Sequence, residues 1–217
     1  MTKAELTISS KTYSAWSLRG WLLCHLAGLD VDEAPVPNDE NNRAELLLLS
    51  PSVLVPRLTH EGASVWDTLA IAEYLNECHP DAQMLPADRL ARAHCRSVSG
   101  EIHSGFANLR SALPMNLKVK HERFPIFSGA KPDIERIETI WYECLSAYGG
   151  PYLFGEKPTI ADAMYAPVTT RFITYAVDVS PHSAAYCKTI ADWAPMKEWT
   201  AAALKEPEDM EDLDVEF

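Results

Sequence analysis

Leu6 and Ile8 alternate with polar neighbours across Glu5–Ser9, the two-residue period of a short strand. After a turn, Trp16, Trp21, Leu22, Leu23 and Leu26 supply the apolar face of a helix from Trp16 to Ala27, and Gly28 is its stop. Val31–Val36 predicts a second strand. Asn38–Leu49 predicts a second helix, polar at first and leucine-rich at its end. Val55–Thr59 and Ser64–Trp66 read as a hairpin closed around Glu61-Gly62. Thr68–Cys78 is a third helix with Leu69, Ile71, Ala72 and Leu75 inward. The order is β-α-β-α-β-β-α.

From about Ala87 the strand period disappears and helical spacing takes over. Leu90–Asn116 reads as one long helix, broken or kinked near Pro114. Pro125–Pro132 is a loop, and Asp133–Tyr148 a helix ended by Gly149-Gly150-Pro151. Helices over Thr159–Val177, Ser183–Asp192 and Met196–Lys205 follow. The expected class is α/β plus all-α, with a mixed domain over 1–80, a helical-bundle domain over 87–205 and an acidic tail over 206–217.

Charge narrows the range of partners. The formal net charge is -12, and the tail carries Glu206, Glu208, Asp209, Glu211, Asp212, Asp214 and Glu216. Such a run reads as a solvated tail, and the acidity argues against nucleic acid. An anionic ligand would need local backbone N–H groups or basic side chains. Apolar runs stay short of the roughly 20 residues a membrane span needs. Met1–Glu5 carries no apolar signal core, so a cytoplasmic protein is expected, with no membrane partner. The five cysteines form no CxxC, and Cys24 and Cys78 sit in apolar helical patterns that favour buried reduced thiols. No His, Cys and carboxylate cluster has zinc spacing, so no metal is expected.

Three short segments carry chemistry. Tyr13-Ser14-Ala15-Trp16-Ser17-Leu18-Arg19 joins a strand to a helix. A serine there is a helix cap. The same geometry suits a thiolate, which the free N–H groups and the positive dipole end would stabilise. A hydroxyl aimed at the sulfur adds a hydrogen bond to the charged form and lowers the thiol pKa. Val55-Pro56 places a proline at the start of a strand, where it cannot donate to the ladder. Either the proline is trans at a sheet edge or the peptide is cis, turning Val55 outward to pair with an extended peptide ligand. Asp67-Thr68 directly precedes a helix. It is a plain cap, or a grip for an α-amino acid: Asp67 for the ammonium, Thr68 and the helix end for the carboxylate.

In this order on this frame, the segments resemble the cytosolic glutathione transferase superfamily, over essentially the whole chain except the tail. The resemblance implies a thioredoxin-like N-terminal domain and an all-α C-terminal domain. Tyr13–Arg19 is similar to the serine motif of zeta-like bacterial members, and Ser14 falls on the catalytic serine. Val55-Pro56 matches the family's cis-proline step, whose preceding residue pairs with the cysteinyl backbone of glutathione. Asp67-Thr68 falls on a Glu-Ser pair that grips the γ-glutamyl end. Tyr152–Ala163 is similar to the family's late helix start, with Thr159 and Asp162 as a capping box. Ala15 replaces a second serine, Asp67 is one methylene shorter than Glu, and Thr68 replaces Ser.

The resemblance implies glutathione as cosubstrate and a second substrate held between the domains. Trp16, His103, Phe106, Arg110 and Met115 are candidate walls, beside Asn116, with core packing the alternative for Phe106 and salt bridging for Arg110. The leading expectation is attack of the glutathione thiolate on a small apolar electrophile. A glutathione-dependent cis–trans isomerase is the alternative within enzymes, and a non-catalytic binding protein on the same fold the alternative outside them. A homodimer is expected by resemblance alone.

Overall fold

The sheet is built around β1 (Ala4–Ile8), whose Leu6 and Ile8 are buried. β2 (Val31–Pro35) pairs with it in parallel and β3 (Arg57–His60) antiparallel; β4 (Ala63–Val65) closes the far side, giving the order β2-β1-β3-β4. Glu61 and Gly62, with φ of 49° and 83°, make the tight turn that the hairpin twist demands. The computed structural model describes residues 4–36, 54–122 and 124–207. The helix expected over Asn38–Leu49 lies outside the described residues.

Helix α1 (Ala15–Leu26) is buried on more than one side. Leu18, Leu22 and Leu23 are fully enclosed, and Arg19 is 1% exposed with its Nε donating 2.8 Å to the carbonyl of Met164 in the helical half. Gly20 is required by close approach: a Cβ there would lie 2.5 Å from Cγ of Pro56. The Pro56 ring is therefore seated directly on α1. Helix α2 (Thr68–Cys78) packs beside α1 through Ile71, Ala72 and Leu75.

The helical half holds α3 (Arg89–Ser104), α4 (Ala107–Ala112), α5 (Lys131–Tyr148), α6 (Ile160–Thr174), α7 (Pro181–Asp192) and α8 (Ala194–Ala203). The long helix expected over Leu90–Asn116 is broken earlier than Pro114. Gly105 leaves the helix and Phe106 turns left-handed at φ 62°. A Cβ on Gly105 would meet the carbonyl oxygen of Glu101 at 2.8 Å, so only glycine fits that cap. Pro114 acts at the second stop, where α4 ends before Leu113. Pro132, expected in a loop, lies in the first turn of α5, where a missing N–H costs nothing.

α6 is the axis of this half, buried along nearly its whole length between α1, α3 and α7. Its capping box is formed. Asp162 is fully buried and accepts from Leu153 N–H, Thr159 N–H and hydroxyl, and Tyr186 Oη, at 2.7–3.0 Å. Burial pushes the Asp162 carboxyl up, and these four donors only partly offset it. One hydrophobic cluster runs through both halves, from Leu6 to Trp199.

Two further expectations change. Cys78 is exposed at the end of α2 rather than buried, while Cys24, Cys95, Cys144 and Cys187 are buried free thiols. Burial pushes Cys24, Cys144 and Cys187 to about 12. Glu206, assigned to a solvated tail, is half-buried and bound to the loop between β1 and α1; residues 208–217 lie outside the described residues. No helix among the described residues is long and apolar enough to cross a membrane.

Candidate active site at the start of the first helix

Ser14 is the N-cap of α1. Its extended backbone (φ −87°, ψ 101°) lets Oγ accept from Ser17 N–H at 3.2 Å. That bond uses a lone pair and leaves the hydroxyl proton free to point outward. The cap and the donor are thus two uses of one oxygen. Ser14 is half-buried, close enough to solvent for a ligand atom to reach it. Behind it, the buried Ser17 Oγ accepts from Ser9 N–H at 3.0 Å, tying the end of β1 to α1.

The Val55-Pro56 peptide is cis, the outward-turning alternative at that position. Pro56 rests on Gly20, in the helix that Ser14 caps. The Trp66-Asp67 peptide is cis as well. Asp67 is the N-cap of α2, its Oδ1 accepting from Leu69 N–H at 3.0 Å and Ala70 N–H at 3.2 Å. The cap reading of this pair therefore holds, and Oδ2 is the oxygen the cap leaves unused. It meets His103 Nε2 at 3.4 Å. The buried Thr68 hydroxyl lies 3.3 Å from the other ring nitrogen, Nδ1. The tautomer that satisfies both carries its proton on Nε2, donating to Asp67 and accepting from Thr68.

His103 comes from α3, so the two halves meet here. Its ring stands edge-on to Trp16 with centroids 5.2 Å apart. The guanidinium of Arg19 lies 4.4 Å from the Trp16 ring centroid and that of Arg110 5.7 Å. Burial lowers the His103 pKa; Asp67 opposes the shift, while Arg19 and Arg110 add to it. These surroundings favour the neutral form of the imidazole.

Of the expected second-substrate walls, Trp16, His103 and Arg110 come together. Phe106 and Met115 are buried in the hydrophobic core, Met115 at 1% exposure. Phe106 is turned inward by its left-handed backbone at the α3–α4 break, which periodicity did not reveal. Asn116 is engaged locally, its Oδ1 accepting from Lys118 N–H. Arg19 was legible only as part of the serine segment; its place against Trp16 depends on α6 receiving its Nε. Among the described residues no group of His, Cys and carboxylates is arranged to hold a metal.

Two family models match the chain: the glutathione S-transferase N-terminal domain over residues 13–78 and the C-terminal domain over residues 98–202. A probable maleylacetoacetate isomerase of Caenorhabditis elegans is 32% identical over 145 residues, 66% of this chain and 67% of that one. Glutathione S-transferase 1 of Dianthus caryophyllus is 30% identical over 175 residues, 79% and 78% of the two chains. A glutathione transferase homolog from Burkholderia, solved with bound glutathione, superposes with a TM-score of 0.69 over 93% of this chain and 98% of that one, at 23% identity. With a serine capping the first helix, a cis-proline seated upon that helix and the matched domains in sequence, the chain belongs to the glutathione S-transferase superfamily, on its zeta-like side.

Proposed function

We propose that the protein is a glutathione-dependent enzyme whose thiolate adds reversibly to an unsaturated, carboxylate-bearing substrate, a cis–trans isomerase. The observation that carries the choice of substrate is the wall at Trp16, where Arg110 and His103 stand against the indole, with the buried Arg19 behind it. With Phe106 and Met115 withdrawn into the core, that wall is cationic and aromatic rather than apolar. It favours a carboxylate over the small apolar electrophile that the resemblance first suggested. The maleylacetoacetate isomerases among the relatives support the same reading.

Glutathione lies along Val55, with its γ-glutamyl ammonium at the Oδ2 of Asp67. Its sulfur takes the hydroxyl proton of Ser14 as a hydrogen bond, and the α1 N-terminus favours the thiolate. The thiolate forms a C–S bond to one carbon of the double bond, and the π pair moves onto the conjugated carbonyl oxygen. The former double bond rotates. The pair then returns, the double bond reforms trans and the C–S bond breaks, so glutathione is regenerated. Arg110 steadies the negative charge. His103 Nε2 meets Asp67 in surroundings that favour the neutral ring, which makes it a poor proton donor to the enolate.

The test is incubation with glutathione and a cis-unsaturated diacid, following the isomer ratio and the free thiol together. Trans product at constant free thiol is expected. Stoichiometric loss of thiol with a thioether product would assign conjugation instead. Turnover of neither kind by a protein that binds glutathione saturably would refute the enzymatic reading.

A further inference from the structure

Four hydrogen-bonding groups from three consecutive residues of the β1–α1 loop converge on the carboxylate of Glu206. Ser10 Oγ donates at 2.9 Å, Lys11 N–H at 2.7 Å and Thr12 N–H at 2.9 Å; the Thr12 hydroxyl lies 2.7 Å from the same carboxylate. Ser10 and Thr12 are 2% and 0% exposed, so the loop side of the contact is buried while Glu206 is half-buried. Three of these groups meet Oε2 and the Lys11 N–H meets Oε1, so both carboxylate oxygens are engaged.

The loop passes the constraint forward. Ser10 Oγ accepts from Thr12 N–H at 3.0 Å and Tyr13 N–H at 3.2 Å, and the Ser10 carbonyl accepts from Ser14 N–H at 3.1 Å. One residue, Ser10, thus connects Glu206 to the backbone of Ser14. Glu206 is itself fixed from behind. Its carbonyl accepts from Lys118 Nζ, and Trp199 Nε1 in α8 donates to the Lys11 carbonyl at 2.9 Å. Burial alone would raise the carboxyl pKa, but the bonds from Lys11, Thr12 and Ser10 prevail and hold it below the ordinary value, so the acceptor stays ionised.

We propose that Glu206 is a positioning residue that sets the Ser14 hydroxyl at the mouth of α1 by holding the Ser10–Thr12 loop. The proposal rests on the reading of Ser14 as the hydrogen-bond donor to the glutathione thiolate. An angle error at a single donor weakens its bond steeply, so the bound thiol is the sensitive reporter. Glu206→Gln keeps the shape but turns an NH2 toward backbone donors, releasing part of the loop.

The experiment measures the pKa of the bound glutathione thiol from its thiolate absorbance, in wild type, Glu206→Gln, Ser14→Ala and the double variant. S-methylglutathione, which has no ionisable thiol, is titrated beside it. Glu206→Gln is expected to raise the bound thiol pKa by about half a unit, a roughly threefold loss of thiolate below the pKa. Affinity for S-methylglutathione should stay within about twofold, since Val55 and Asp67 are untouched. The double variant should match Ser14→Ala, because Glu206 acts through Ser14. A wild-type pKa in Glu206→Gln beside a raised one in Ser14→Ala overturns the role of Glu206 alone. An unchanged pKa in Ser14→Ala removes the reading beneath it, and the Glu206 role falls with it. An equal shift on the Ser14→Ala background also overturns the proposal. If Glu206→Gln fails to fold, Thr12→Val, which removes one of the four donors, must show the same shift at smaller size; a wild-type pKa there overturns it.

Discussion

Replacing Ser14 by alanine and by aspartate separates its two roles, because stability and thiol activation then move in different orders. Ser14 Oγ accepts from Ser17 N–H at 3.2 Å. Alanine deletes that cap, at about 1 kcal/mol, whereas aspartate caps as well as serine and suits the helix dipole. Alanine also deletes the hydrogen bond to the thiolate. Bonds to charged groups contribute about 1.5–3 kcal/mol, partly replaced by water, so a rise of about one unit in the bound thiol pKa is expected. Aspartate instead sets a carboxylate against the thiolate. Two like charges about 4 Å apart near a surface repel by about 4 kcal/mol before salt screening, so a rise of about two units is expected. Thermal or denaturant unfolding gives the stability order, with wild type and Ser14→Asp together above Ser14→Ala. Titration of the bound thiol gives the pKa order, wild type lowest and Ser14→Asp highest. A thiol pKa that followed stability, with Ser14→Asp close to wild type, would refute Ser14 as a donor to sulfur and leave it only a helix cap.

Gly20→Ala should destabilise the fold by about 1–3 kcal/mol, because the new methyl would lie 2.5 Å from Pro56 Cγ; the clash outweighs a helix-propensity gain of about 1 kcal/mol. Glutathione affinity, measured by calorimetry, should fall with it as Val55-Pro56 is displaced. Asp162→Ala should cost about 3–4 kcal/mol in denaturant unfolding, since it orphans the N–H groups of Leu153 and Thr159 and the hydroxyl of Tyr186 in the interior; the activity of the molecules that remain folded should be unchanged. The pKa of Glu206 is lowered on folding, so its contribution to stability is present above the ordinary value of 4.5 and is lost as pH falls through the lower folded value. Of the nearby lysines, Lys118 Nζ donates to the Glu206 backbone carbonyl and Lys11 Nζ is turned to Glu33. Wild type and Glu206→Gln should therefore differ in unfolding free energy at neutral pH, draw together as pH falls below 4.5 and converge below the lower folded value.

The elements and caps were legible in the sequence because each is a local matter of period and terminus chemistry. Leu6 and Ile8 marked β1, Glu61-Gly62 the hairpin, and Thr159 with Asp162 the start of α6. Ser14 and Asp67 were legible as caps for the same reason: a hydroxyl or carboxylate before a helix binds N–H groups two or three residues on. Their neighbours across the fold were not. Asp67 meets His103 and Arg19 meets Met164 only because α3 and α6 dock on the first helices. Phe106 had the spacing of a pocket wall, yet one left-handed residue turned it into the core. Glu206 read as the first charge of a solvated tail. Ser10 lies 196 residues away along the chain, and nothing in a local pattern of charge indicates that distant donors will close on a carboxylate. Helical periods and caps depend on neighbours within about four residues, which the sequence states directly. The electrostatics of the site and the grip on the Ser14 loop depend on groups that only the packed chain brings within hydrogen-bond reach.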